Sequence, residues 1–249
     1  MKKVVGGIYL HTHTHSSLFK IDYDFGFEEE KFGCKNKRAA FTLVEILITL
    51  GIIGVISAMT IPTLIKNANE RATVSQLKNI YSILNSATNS IIAQEGPIST
   101  WTWDEAGQRM DAVVDSYKNQ LLFSKTCAYG VNTCYYESTW KALDGNVYFW
   151  YFGGGDAYYN ILNDGTYVKF EKNAGAGAVS ANLKARMVII VNLNGNKPPN
   201  QMGRDVFCFY LTENKGLIPP DLNVTGNCKT NSGGATCSTK ILQEDAINY

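Results

Sequence analysis

The sequence predicts an α+β fold in which one long N-terminal helix packs under a small antiparallel β-sheet head. An apolar run from Phe41 to Ile61 is followed by a one-sided helical pattern that continues to Gly96 and Pro97. Beyond that point, short segments rich in Val, Ile, Phe and Tyr alternate with turn signals, which is typical of strands. The first half of the helix is apolar on all sides, so we expect it to span a membrane or to lie in the core of an assembly.

The apolar run is long enough to cross a membrane. It contains 21 residues, which as a helix would extend about 31 Å, close to the thickness of the hydrocarbon core of a bilayer. Glu45 is its one charged residue. Because a carboxylate near the start of a membrane helix is costly, Glu45 requires an explanation.

The block KRAAFTLVEILITLGIIGVISAMTIP closely resembles the N-terminal signature of type IV pilins and type II secretion pseudopilins. That family has a basic leader, a small residue, a Phe that begins the mature chain, a glutamate as its fifth residue and a proline seventeen residues further on. The corresponding positions are Arg38, Ala40, Phe41, Glu45 and Pro62, with Ala40 where the family usually has Gly.

The resemblance implies a structural protein that is the substrate of an enzyme and not an enzyme itself. A membrane prepilin peptidase would cut between Ala40 and Phe41 and would N-methylate Phe41. The mature chain would then join other pilins or pseudopilins in a homo- or hetero-filament, built on an assembly platform in the inner membrane. The machine would be a type II secretion system or a type IV pilus.

Two explanations of Glu45 fit the local sequence. Thr42 and Glu45 stand three apart at a helix start, which is the spacing of a capping box, and the carboxylate also meets the positive end of the helix dipole. Alternatively, Glu45 attracts the cationic amine of Phe41 in a neighbouring subunit and sets the register of stacked helices. A Ser or Thr would cap the helix without placing a charge in a membrane, and this favours the second explanation.

Two other interpretations of the apolar run remain open. One is a secretory signal peptide with an apolar region from Phe41 to Ile56 and a cut after Ala58. The other is a plain membrane anchor, in which case the chain would be an extracytoplasmic binding protein that does not polymerise and whose aromatic head contacts a ligand. Neither interpretation accounts for Glu45.

These patterns divide the chain into four parts. We expect a leader that is removed, residues 1–40; a transmembrane and assembly helix, residues 41–62; the amphipathic half of the same helix, residues 63–96; and a globular α+β head, residues 97–249. Cations before the apolar run keep the leader in the cytoplasm, so the head lies outside the inner membrane.

The charge of the chain gives no support for nucleic-acid binding. The sequence has 23 Lys and Arg and 22 Asp and Glu, and the part after residue 40 has 16 and 17 of them. A near-neutral chain without a basic stripe lacks the electrostatic footprint of a nucleic-acid partner.

Five cysteines follow the leader and form two close pairs, Cys127 with Cys134 and Cys228 with Cys237. In an oxidising compartment each pair would form a disulfide that closes a short loop and stabilises the fold by roughly 2.5 kcal/mol. Zinc is the alternative, but the spacings are wider than is usual for zinc sites, and all three histidines precede the apolar run. Cys208 lies between two phenylalanines and is predicted to be a buried free thiol.

The remaining elements follow from periodicity and turn residues. The first helix is predicted to have about 55 residues with a kink near Pro62, and a second helix is predicted from Trp101 to Leu122. Three or four strands are expected, with hairpin-type turns at Asp164-Gly165 and Asn194-Gly195. The predicted strands are Val147 to Phe152, Thr166 to Phe170, Arg186 to Leu193 and Val206 to Leu211.

The segment VNLNGNKPPNQMGRDVFCFY and the tail from Cys237 to Tyr249 resemble the C-terminal part of one pseudopilin subgroup, and some major pseudopilins bind calcium in this general region. Asn192 stands where an Asp is usual, and Asp205 is the only carboxylate nearby. A hydrogen-bonded turn is therefore favoured over a calcium site.

Alternating histidines at positions 11, 13 and 15 resemble the first metal motif of polymerase-and-histidinol-phosphatase hydrolases. Such a site needs further His and Asp ligands from later strands, and no histidine follows His15. For the same reason the mature chain lacks a Ser/His/Asp or Cys/His set. The sequence therefore predicts no catalytic residue, no metal and no cofactor.

Overall fold

The structure is a computed structural model that describes residues 41–103, 110–127, 140–147, 157–172, 183–195, 197–222 and 228–249. Its helices are α1 (Leu43–Glu95), a short 3₁₀ helix (Ile98–Thr100), α2 (Asp111–Gln120) and α3 (Cys237–Glu244). Its strands are β1 (Phe123–Thr126), β2 (Ala157–Leu162), β3 (Tyr167–Lys172), β4 (Ala185–Asn192), β5 (Val206–Thr212) and β6 (Gly216–Ile218).

The chain divides into two units after Gly51. In the first unit, residues 41–51 are exposed and are helical from Leu43. In the second unit, α1 continues through Pro62 and ends at Glu95. Gly96 adopts a positive φ of 87° and donates a hydrogen bond from its nitrogen to the oxygen of Ile92 over 3.0 Å, which is the usual role of glycine at a helix C-terminus. The 53 residues of α1 agree with the predicted length.

One face of α1 packs with the β-sheet. The buried side chains of the helix begin at Val74 and recur at three- and four-residue steps, as the pattern predicted. The ring of Tyr81 stacks on that of Phe209 in β5, with centroids 5.1 Å apart, and its hydroxyl donates to the oxygen of Leu217 over 3.3 Å. The long helix and the antiparallel sheet confirm the predicted α+β class.

The six strands form one antiparallel sheet in which each strand pairs with its neighbours in the chain. Alternation along the strands gives the sheet two buried faces. Phe170, Ile189 and Phe209 lie side by side on the face that packs with α1 and α2. Ile190 and Cys208 lie on the opposite face, in a second cluster that contains Trp140 and Met202.

The sheet is larger than predicted. Strands β3, β4 and β5 confirm three of the four predicted segments. The fourth, from Val147 to Phe152, lies mostly outside the described residues, and Val147 itself forms an isolated bridge with Lys141. Strands β1, β2 and β6 were not predicted, because β1 is mostly exposed, β6 has only three residues, and the short apolar run of β2, AYYNIL, is interrupted by Asn160.

The second helix is shorter than predicted. Helix α2 begins at Asp111, whereas Trp101 and Trp103, at the start of the predicted helix, are not helical. The indole nitrogen of Trp101 donates to the oxygen of Gly96, and that of Trp103 to the oxygen of Ile98, both over 3.0 Å. These side-chain bonds to the preceding residues hold the segment in a non-helical conformation.

The two predicted turns differ in the length of the connection between their strands. Asp164-Gly165 forms the tight turn between β2 and β3, with a φ of 87° at Gly165 and a 2.9 Å bond from the nitrogen of Thr166 to Asp164 Oδ1. Asn194-Gly195 also forms a turn, but the chain then continues through residues 196–205 before β5 begins. The glycine-rich stretches 153–155 and 173–178 lie outside the described residues.

Candidate functional site

A reciprocal cap between Thr42 and Glu45 closes the start of α1. Glu45 Oε2 accepts hydrogen bonds from the main-chain nitrogen of Thr42 over 2.8 Å and from its hydroxyl over 3.0 Å. The same hydroxyl accepts the main-chain nitrogen of Glu45 over 3.2 Å. This is the predicted capping box, in which each side chain satisfies a main-chain N–H that the helix leaves unpaired.

The cap uses only one of the two carboxylate oxygens. Among the described residues, Glu45 Oε1 accepts no hydrogen bond, and the whole side chain is exposed. Because Oε1 remains open, the cap is compatible with an ion pair to another molecule. The two explanations of Glu45 are therefore not exclusive.

Apolar side chains around and beyond Glu45 are exposed on both sides of Gly51. Phe41 and Met59 are 79% and 74% exposed. Such a run of exposed apolar residues indicates a lipid or protein contact. The other large ones are Leu43, Val44, Ile46, Leu47, Ile48, Leu50, Ile52, Ile53, Val55, Ile56, Ile61, Leu64 and Ile65.

Pro62 lies inside α1 and interrupts its hydrogen bonding. Proline has no N–H, so it leaves the oxygen of Ala58 without its regular partner. Two residues earlier, the hydroxyl of Thr60 donates to the oxygen of Ile56 over 3.0 Å, so this part of the helix combines a missing bond with a side-chain bond to the backbone. The predicted kink stays a prediction.

By length and composition, α1 is the one helix among the described residues that could cross a membrane. The predicted cleavage junction is only partly described, since Phe41 is described and Ala40 is not. The basic residues before Ala40 and the three histidines also lie outside the described residues.

In the comparison with protein families, residues 35–61 match the family described as the prokaryotic N-terminal methylation motif. The match supports a type IV pilin-like or pseudopilin-like family. The motif implies processing by prepilin peptidase and assembly as a pilin, and the family is structural rather than catalytic. No curated protein and no solved structure matches the chain.

One of the two predicted disulfides lies within the described residues. Cys228 and Cys237 form a disulfide with Cα atoms 4.9 Å apart. Cys127 is disulfide-bonded, while Cys134, its predicted partner, lies outside the described residues. Cys208 is a buried free thiol, as predicted. Its sulfur donates to the oxygen of Ala235 over 3.3 Å, and burial raises its pKa to about 12.

The loop between β4 and β5 is organised by Asp205. Its Oδ2 accepts the main-chain nitrogen of Asn200 over 2.8 Å and the side-chain nitrogen of Asn194 over 2.9 Å, and its Oδ1 accepts the nitrogen of Gln201 over 2.6 Å. Burial raises the pKa of Asp205, while these hydrogen bonds lower it. The loop is thus a hydrogen-bonded turn, and the described residues contain no group of three acidic, Cys or His side chains suited to a metal ion.

One set of contacts was missed by the sequence analysis. Arg204 lies between Glu70 of α1 and Tyr249, and Lys78 of α1 pairs with Asp245. These residues are far apart in the sequence and no local pattern relates them, so only the folded chain brings them together.

Proposed function

We propose that this chain is a structural subunit of a type II secretion or type IV pilus filament. The observation that supports the proposal is the methylation motif at residues 35–61, which overlaps in sequence with the exposed apolar part of α1. In this proposal, prepilin peptidase removes residues 1–40 by cutting between Ala40 and Phe41 and then methylates the new amine of Phe41.

We further infer how the parts of the chain are used. Residues 41–62 hold the subunit in the inner membrane before assembly and lie in the filament core afterwards, and residues 63–96 connect them to the head at 97–249. The leader faces the cytoplasm and the head faces the periplasm or the exterior. The partners are the peptidase, other pilins or pseudopilins, and an inner-membrane assembly platform.

Glu45 has a double role in this mechanism. Its Oε2 caps α1 through Thr42, and its open Oε1 accepts the cationic amine of Phe41 from a neighbouring subunit. Within an apolar filament core, a buried cation without a partner is strongly unfavourable, so the pair fixes one register of neighbouring helices. Exposed apolar side chains along the helix supply the non-specific part of the assembly free energy.

Pro62 is the proposed point of adjustment. The hydrogen bond missing at Ala58 makes α1 easier to bend or locally unwind there than elsewhere. A subunit that moves from a bilayer into a filament changes the neighbours of its helix, and a weak point lets the helix adapt to them without movement of the head.

The decisive experiment separates the charge of Glu45 from its cap. Glu45→Gln keeps an amide oxygen for the capping box but removes the charge, whereas Thr42→Val keeps the charge and removes the hydroxyl. Each variant is expressed with the peptidase and the partner pilins. The N-terminal mass of the mature chain and the amount of the subunit in sheared filaments are then measured.

Normal processing of both variants is expected, with Glu45→Gln reduced on the order of tenfold or more in filaments and Thr42→Val close to wild type. If Glu45→Gln is processed and assembles as well as wild type, the filament proposal loses its physical basis. A membrane-anchored extracytoplasmic binding protein that does not polymerise would then be the better account.

A further inference from the structure

The segment from Cys237 to Tyr249, named here the α3 segment, contacts α1 at the turn where burial of that helix begins. Asp245 pairs with Lys78, and Glu70 pairs with Arg204 over 3.5 Å. Glu70 and Lys78 are eight residues apart on α1, and they flank Val74, its first buried residue. Arg204 and the α3 segment therefore contact α1 about one helical turn before and one turn after its first buried residue.

Tyr249 connects the α3 segment to the ion pair between Arg204 and Glu70. Its main-chain oxygen accepts Arg204 Nη2 over 3.2 Å, and its ring lies under the Arg204 guanidinium at 5.3 Å. Its hydroxyl donates to the oxygen of Gly203. An exposed ion pair alone contributes little to stability. The half-buried ring of Tyr249 and its hydrogen bonds therefore supply most of the attachment of the α3 segment.

The disulfide supports the turn that receives Tyr249. Gly203 has a φ of 82°, and a Cβ atom placed there would lie 2.8 Å from the sulfur of Cys237 and 3.4 Å from the hydroxyl of Tyr249. Leu143, Cys228 and Cys237 form a small buried cluster, and Tyr249 packs against it. The sulfur of Cys237 and the ring of Tyr249 thus share one packing site.

Helix α3 depends on such support. It has eight residues, a length at which an isolated helix is marginal in water. Its first residue, Cys237, is bonded to Cys228, so the bond fixes the end of the helix that lies against Gly203. When this bond opens, two thiols replace one buried disulfide, and the close packing at Gly203 has to change.

We propose that the α3 segment is a redox-controlled latch on α1, engaged when Cys228 is bonded to Cys237 and released when the bond is reduced. To engage the latch, the two thiols give two electrons and two protons to a disulfide oxidant, which becomes a pair of thiols. A dithiol reductant reverses the step. The stretch of α1 around residues 70–78 is therefore held by the α3 segment only in an oxidising compartment, and this conclusion does not depend on filament assembly.

Hydrogen exchange of the full chain in detergent micelles tests the latch. The variant Cys228→Ser/Cys237→Ser is compared with wild type, and Cys127→Ser/Cys134→Ser is the matched control. The first variant is expected to raise exchange at the amides of residues 66–78 about tenfold, with β4 unchanged, and the control is expected to leave residues 66–78 unchanged. Equal exchange in wild type and the first variant, or the same increase in the control, would overturn the proposal.

A second pair of variants tests the latch in a protein that keeps its disulfide, so the result does not depend on whether the cysteine variant folds. Asp245→Asn and Arg204→Gln leave the disulfide in place and remove its connections to α1, and Asn tolerates the positive φ of 56° at position 245. Together they are expected to reproduce the increased exchange at residues 66–78 in the oxidised protein. If they do not, the α3 segment does not hold α1, whatever the effect of the cysteine variants.

Discussion

The hydroxyl oxygens of Thr88 and Tyr117 lie 2.6 Å apart in the buried core, where they join α1 to α2. Thr88 also donates to the oxygen of Leu84 over 2.8 Å, so its single proton is used and Tyr117 is the donor to Thr88. Burial raises the pKa of Tyr117, so the phenol stays protonated at neutral pH. The core thus contains a buried hydrogen bond in which Tyr117 is the donor and Thr88 is the acceptor.

We predict non-additive effects at this pair. Thr88→Val leaves a buried phenol without its acceptor and should reduce the free energy of unfolding by about 1–3 kcal/mol. Tyr117→Phe removes the donor and should cost about 1 kcal/mol. The double variant should be more stable than Thr88→Val alone, because no phenol is then left unpaired. Denaturant unfolding of wild type, the two single variants and the double variant gives the coupling free energy between Thr88 and Tyr117. Additive losses of stability would contradict the hydrogen bond.

Asp205 should be required as a carboxylate. Asp205→Asn places an amide N–H₂ where the pocket already supplies donors from Asn194, Asn200 and Gln201, and we expect a loss of about 1–3 kcal/mol in the free energy of unfolding. Asp164→Asn is the matched control, because its turn uses a single side-chain oxygen that Asn also has. Equal unfolding midpoints for the two variants would show that the loop does not depend on the second oxygen.

The elements predicted from the sequence are those whose pattern is local. Helix α1 buries apolar positions at a regular helical spacing, and strands β3 to β5 are rich in β-branched and aromatic residues, so the sequence alone indicates them. Strand β1, FSKT, is mostly exposed and packs only Phe123 against the core, so its position is set mainly by pairing with β2. Strand β6 has three residues and precedes two prolines, so it is too short to show a recognisable strand pattern in the sequence.

The same division applies to the residues of the proposed sites. The cap between Thr42 and Glu45 lies within four residues of the chain, so its spacing is visible in the sequence. By contrast, Arg204 contacts Glu70 and Tyr249 across long stretches of sequence, and charged residues at such separations carry no signal of their contact. Contacts of this kind are properties of the fold.

The cysteines should show one free thiol with low reactivity. With the raised pKa of about 12, Cys208 is protonated at neutral pH and is buried, so thiol reagents should not label it in the native protein. After unfolding without reductant, Cys208 alone should be labelled in the mature chain. Labelling of Cys127, Cys134, Cys228 or Cys237 under these conditions, measured by peptide mass, would contradict the predicted pairing.

Processing should occur between Ala40 and Phe41, inside the matched methylation motif. The mature chain made alongside a prepilin peptidase should have the mass of a protein that begins with N-methyl-Phe41. Ala40→Gly should be cut at least as well, since Gly is still smaller, whereas Ala40→Leu should be cut poorly because a bulky side chain does not fit a pocket for a small residue. Phe41 is kept in both variants, so any difference between them reports the residue before the cut.

Two outcomes would contradict pilin-type processing. A chain that begins at Met59, as a signal peptidase cut after Ala58 would produce, would favour a secreted protein. An intact leader in the membrane would favour a plain anchor.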